Sequence, residues 1–237
     1  MAVRNMVRLP LLLLVFACTP SAQSQSSAPS SKVATIKFAF ERHGLAVPRF
    51  TLTVQEDGVG TYQADEVERP TVPAASLPSA GAAAEQHIAR PMTLSAAMTE
   101  KIFKAAQGAK RFSITCASKA KNIADTGTKT LTYTGVDGTG TCTYNYSEEK
   151  NVVLLTEWFQ GIAFTMDEGR KLDYLHRYDR LGLDAEMQLM VQAIEEKNAL
   201  ELRNISSTLS SIASDTDVMQ RVRVRAAALL GQAVDNR

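Results

Sequence analysis

Ile36-Lys37-Phe38-Ala39-Phe40-Glu41 and, a few residues on, Phe50-Thr51-Leu52-Thr53-Val54-Gln55 alternate apolar and polar side chains with a period of two. An extended strand sends successive side chains to opposite faces, so each segment predicts a strand buried on one side. Gln55-Glu56-Asp57-Gly58 supplies residues that tolerate positive φ, and Gly60-Thr61-Tyr62-Gln63-Ala64 returns as a third strand of a meander. Phe112-Ser113-Ile114-Thr115-Cys116 alternates again. Thr130-Leu131-Thr132-Tyr133-Thr134 and Cys142-Thr143-Tyr144-Asn145-Tyr146 flank a turn at Asp137-Gly138 and pair as a hairpin.

Outward from these strands the pattern changes. Residues 68–91 carry Pro70, Pro73, Pro78 and Pro91 among small side chains, which predicts a long surface loop, either a mobile insertion or a lid. Met98, Ile102, Phe103 and Ala106 recur at helical spacing up to Gly108, a C-terminal cap signal. Ser147-Glu148-Glu149 opens a helix with Val152, Leu155, Phe159 and Ile162 on one face. Thr165-Met166-Asp167-Glu168 fits a capping box that starts a further helix through Leu172 and Leu175. Met187, Met190, Val191 and Ile194 mark another, Ile205, Leu209 and Ile212 the next. Asp217 fits the cap of a last helix carrying Val222, Ala226 and Leu229. Strands first and helices last predict an α+β fold: an antiparallel sheet of five or six strands with helices on one face, then an all-helical C-terminal region. The expected division is 1–24 export segment, 25–34 flexible linker, 35–165 α+β domain and 166–237 helical region.

Arg4 and Arg8 precede the apolar run Leu11 to Ala17, the layout of a secretory signal peptide; the run is too short to span a bilayer. Two processing routes stand open. One is cleavage after Ser24, where Ala22 and Ser24 give a small-x-small pattern. The other is lipidation of Cys18, since Leu14-Val15-Phe16-Ala17-Cys18 looks like a bacterial lipobox. Either way the expected location is exported, periplasmic or secreted. Cys116 and Cys142 are then the remaining thiols, and in an oxidising compartment an even pair predicts a disulfide. Closing that loop of about 27 residues would stabilise the fold by roughly 3.5 kcal/mol.

Across 237 residues, 26 basic side chains balance 25 acidic ones, leaving a formal charge of +1. No general field is available to hold nucleic acid, so it is not an expected partner. Nucleotide loops, a Gly-x-Ser-x-Gly elbow and a His-Glu-x-x-His zinc motif are absent from the sequence, and no cofactor or metal is expected. The densest cluster of catalytic residue types is Asp173-Tyr174-Leu175-His176-Arg177-Tyr178-Asp179, where either aspartate lies one helical turn from the imidazole. His176 and Asp173 are the catalytic candidates, against the plainer reading of a solvated helix surface. Lys119, Lys121 and Lys129 with Tyr133, Tyr144 and Tyr146 suggest a basic, aromatic patch suited to a polyanionic glycan, against the plainer reading of a sheet face. Arg221 and Arg225 share one side of a helix while Arg223 points elsewhere, so they form no single phosphate-binding row.

Two resemblances extend this reading. Glu41-Arg42 to Tyr62, with Val47-Pro48-Arg49-Phe50, Thr53-Val54 and Asp57-Gly58, resembles the opening of a bacterial exported domain of unknown function; His43 and Val47 stand where that pattern has cysteines. With Lys121-Asn122-Ile123-Ala124-Asp125 and Arg170-Lys171-Leu172-Asp173-Tyr174, the chain is similar in style to exported proteins of soil Acidobacteria. Asp215-Thr216-Asp217, Val222-Arg223, Ala226-Ala227 and Leu230-Gly231 look like the second helix of a HEAT-type repeat, in a single copy. None of these brings an assigned activity. The leading expectation is a non-enzymatic binding or structural module of the cell envelope, whose partner is a protein or an envelope polymer met through the sheet's exposed face or the C-terminal helices. The alternatives are a small periplasmic hydrolase using His176 with Asp173, and an inhibitor or chaperone-like factor acting through residues 68–91.

Overall fold

The computed structural model describes residues 33–67 and 85–235. The export segment, Cys18, most of the linker and residues 68–84 lie outside them. The chain is an α+β protein whose elements run β1 (Thr35–Glu41), β2 (Arg49–Gln55), β3 (Val59–Val67), β4 (Glu85–Thr93), α1 (Ala96–Gly108), β5 (Thr128–Gly135), β6 (Gly138–Tyr144), α2 (Lys150–Tyr178), α3 (Leu183–Glu195), α4 (Ser206–Ser214) and α5 (Gln220–Asp235). The six strands form one antiparallel sheet in the order β4-β3-β2-β1-β5-β6. No helix among the described residues is long and apolar enough to cross a membrane.

Alternation sorts the sheet into a covered face and an open one. Ile36, Phe38, Leu52, Val54 and Leu131 are completely buried. Over them lie α1, through Met98, Ile102 and Ala106, and α2, through Val152, Leu155, Phe159 and Ile162. Phe38 stacks on Phe159 with ring centroids 5.2 Å apart and planes 8° from parallel. The turns follow the sequence: Gly58 adopts φ +82, and Asp57 accepts a hydrogen bond from the Val59 N–H at 2.9 Å.

Three expectations are corrected. First, residues 85–91 are not loop: they belong to β4, which pairs with β3 through nine residues from Glu85↔Val67 to Thr93↔Val59. The free hydrogen-bonding edge of β3 holds this strand, and Pro91 and its charged neighbours suit it to the sheet's outer edge. Second, Phe112 to Cys116 is no strand. Lys110, Arg111 and Phe112 all take positive φ (50°, 53° and 63°), a tight reversal that drives Phe112 completely into the core. This turn lies so close to β6 that a Cβ on Gly140 would stand 2.2 Å from the Arg111 carbonyl oxygen. Third, no helix starts at Thr165. The Thr165 hydroxyl donates to the Gly161 carbonyl one turn back (3.1 Å) and accepts the Leu200 N–H (2.9 Å), so α2 passes through unbroken.

Cys116 and Cys142 meet with Sγ atoms 1.95 Å apart and Cα atoms 5.8 Å apart, tying the irregular stretch after α1 to β6. A second apolar cluster begins on α2 at Leu172, beyond Met166, the last α2 residue of the first. It gathers Met187 and Met190 of α3, Leu209 and Ile212 of α4, and Val222, Ala226 and Leu229 of α5. All described residues belong to one compact unit, with α2 common to both clusters.

Candidate functional site: the open sheet face

The face of the sheet opposite α1 and α2 is covered by no described element. Its side chains stand in cross-strand rows. One runs Thr61, Thr53, Lys37, Thr132, Thr141; the next runs Gln63, Thr51, Ala39, Thr130, Thr143. In a sheet such neighbours are about 4.8 Å apart across strands and about 7 Å apart along them. Threonine suits this face twice over: its branched Cβ favours the extended backbone, and its hydroxyl both donates and accepts. Thr130 pairs with Thr143 and Thr132 with Thr141, each hydroxyl pair at 3.0 Å.

A third row is charged: His87, Asp65, Arg49, Glu41 and then Thr128. Asp65 accepts from Arg49 Nε at 2.9 Å and faces His87 Nδ1 at 2.8 Å. The hydrogen bonds to His87 and Arg49 hold the Asp65 carboxyl below the usual carboxylate range. Because Ala39 is small, the sheet dips between the charged row and the threonines into an open depression of about 240 Å³, floored by Ala39, Thr51 and Gln63.

The other candidates lie elsewhere. His176 Nε2 is 2.8 Å from Asp215 Oδ2, a residue of the α4–α5 connection, and Arg180 approaches the same oxygen at 3.2 Å. The Asp217 N–H and His176 hold the Asp215 carboxyl down. Asp173 does not take part: it pairs with Arg177 at 2.9 Å, while Asp179 accepts the Gly182 N–H. His176 and Asp173 are therefore not brought together. The residues that do surround the imidazole close an ion-pair cluster between α2 and the α4–α5 connection.

The expected basic and aromatic patch comes apart by the same alternation that builds the open face. Lys129 turns inward, is 4% exposed, and donates to the carbonyls of Thr126, Gly127 and Asn145 at 2.9–3.0 Å. Burial lowers its pKa. Tyr133 and Tyr144 are buried on the same face, Tyr144 as the cross-strand partner of Lys129; Tyr133 donates to Asp137 at 2.7 Å, and the Tyr144 hydroxyl lies 2.6 Å from that of Thr156. Of the three tyrosines only Tyr146 is exposed.

A buried acidic cluster went unread in the sequence. Burial, then a hydrogen bond with Glu186, pushes Glu168 up to about 8. Burial opposes ionisation of Glu186 too, but the Glu168 contact and Lys171, whose Nζ lies 2.7 Å away, leave its carboxyl below the ordinary range. This is a clasp between α2 and α3. Asp65 and His87 were also missed as a pair. They lie 22 positions apart, and only the β3–β4 register makes them neighbours. Glu85–Thr93 carried no strand period from which to find them.

Comparison with known protein families and with curated proteins finds no match for this chain.

Proposed function

We propose that the protein is a non-enzymatic binding module of the cell envelope that holds a hydroxyl-rich envelope polymer against its open sheet face. The observation carrying this reading is the hydroxyl-lined surface spanning five strands, uncovered among the described residues, bordered by a charged row and dented at Ala39. Protein interfaces are anchored by buried aromatic and arginine side chains in a well-packed centre. The two threonine rows contain no aromatic residue. A polymer whose own hydroxyls donate and accept at short repeat matches a lattice of threonines better than a protein surface does. The Arg4–Arg8 leader with its apolar run and the joined cysteines support an exported location.

The test exploits the near-identical shapes of Thr and Val. A quadruple variant with Thr51→Val, Thr53→Val, Thr130→Val and Thr132→Val keeps strand propensity and removes four hydroxyls from the centre of the face. Co-sedimentation with isolated cell-wall sacculi and with soluble neutral polysaccharides is expected to show retention of the wild-type protein and at least tenfold weaker retention of the variant. Failure of the wild-type protein to bind any of these polymers, or equal retention of the variant, would overturn the reading.

A further inference from the structure

We infer a second binding site, independent of the open sheet face: a cationic groove that takes a short acidic, amphipathic peptide segment of a partner protein. The groove, about 650 Å³, lies where the start of α1 meets the 196–203 connection and the end of α5. Its size falls within the range of pre-formed ligand sites, roughly 300–1,000 Å³. Lys101 of α1 and Lys197 and Arg203 of the 196–203 connection line it, and none of the three is paired with an acid among the described residues. The one acid among the lining residues is already satisfied. Glu201 accepts the Ser95 N–H through Oε2 and the Ser95 hydroxyl through Oε1, both at 2.7 Å. Three cations against this one carboxylate leave the lining with a formal excess of positive charge, on a chain whose net charge is only +1.

Met98, Ile194, Leu200 and Leu202 also line the groove, so apolar side chains accompany the cations. This combination selects the occupant. A lining that mixes aliphatic side chains with cations suits alternating aliphatic and carboxylate side chains, the first removed from water and the second paired with lysine and arginine. Nucleic acid and anionic bilayers would engage the cations but leave the apolar side chains unused, and both ask for a broad basic face rather than a cleft. The Ser95–Glu201 hydrogen bonds tie the start of α1 to the 196–203 connection, and Thr93 N–H donates to Asn204 Oδ1 at 2.8 Å nearby.

Fluorescence anisotropy of the full chain with a labelled peptide alternating Leu and Glu tests the assignment. The controls are the same peptide with Lys for Glu, a polyglutamate of equal charge, a single-stranded oligonucleotide and vesicles with anionic lipid. Saturable binding of the Leu/Glu peptide is expected. It should weaken at least tenfold in the Lys101→Glu/Lys197→Glu variant and with added salt, while the Thr→Val sheet variant binds it normally. Arg203→Gln, a milder change, should weaken it several-fold with an unaltered circular dichroism spectrum. Three results would overturn the inference: no peptide binding, binding unaffected by charge reversal, or equal binding of polyglutamate, oligonucleotide or vesicles, since the last makes the apolar side chains irrelevant.

Discussion

The two apolar clusters that share α2 are held together by different means. Around the sheet, large rings interlock: Phe38 stacks on Phe159, and Phe40 on Phe50 with centroids 5.0 Å apart. Arg111 and Asp137 form an ion pair, and the Cys116–Cys142 disulfide ties the same stretch after α1 to β6. Around the C-terminal helices the buried side chains are Leu, Met, Ile, Val and Ala, and charged groups supply the cross-links. Lys171–Glu186 joins α2 to α3, Asp184 of α3 accepts from Arg221 and Arg225 of α5, and His176 reaches Asp215. The sheet half should therefore respond to loss of ring volume and to reduction, and the helical half to pH. Because α2 is one continuous helix, neither half should melt alone.

Phe38→Ala tests that contrast most severely. Removing a fully buried ring that stacks on α2 is expected to cost about 3–5 kcal/mol. Urea unfolding followed both by fluorescence of the single tryptophan, Trp158, and by far-ultraviolet dichroism should shift as one transition. Two separate transitions would break the idea that α2 couples the halves. Next, Cys116→Ser/Cys142→Ser should cost roughly 3 kcal/mol by freeing the unfolded chain, with the same midpoint shift obtained by adding reductant to the wild-type protein.

Gly169→Ala probes the helical half by packing alone. A Cβ there would stand 2.1 Å from Ile205 Cγ2, so the two segments must part. A loss of about 1–3 kcal/mol in a denaturant titration is expected, and an unchanged midpoint would show that Ile205 yields freely. The pH contrast is smaller and has a definite sign. Glu168 is raised in the folded state from its ordinary 4.5 to about 8, so its contribution is complete at acidic pH and is lost as pH climbs through that interval. Glu186, held low, contributes in the opposite sense, and only at more acidic pH. Urea midpoints measured between pH 5 and 8.5 should therefore fall with rising pH in the wild-type protein and stay nearly flat in Glu168→Gln. A wild-type midpoint that rises over this range would show that other groups control the helical half. Smallest of all, Arg177→Ala removes an exposed one-turn pair with Asp173 and should move the midpoint by no more than about 0.5 kcal/mol.

Period-two segments such as Ile36 to Glu41 and Thr130 to Thr134 were legible because the side chains of a strand obey a purely local rule. The same rule already sorted Thr130 and Thr132 from Leu131 and Tyr133, so the open face was written in the sequence although its use was not. The buried faces of α1 and α5 were legible for an equally local reason, the recurrence of apolar residues every three or four positions. The cysteine pairing followed from their number once export was assumed.

What the tertiary structure decided were meetings between distant residues. Glu85–Thr93 becomes a strand because β3 offers an unpaired edge, which outweighs Pro91 and a mixed composition. Thr165 resembles a cap, yet its hydroxyl is taken by Gly161 and Leu200, and the helix runs on. His176 stands one turn from two aspartates and bonds instead to a third, 39 positions away. In each case local propensity is worth a few tenths of a kcal/mol, and a satisfied buried or bridging hydrogen bond is worth about 1 kcal/mol or more, so the contact that only folding supplies prevails.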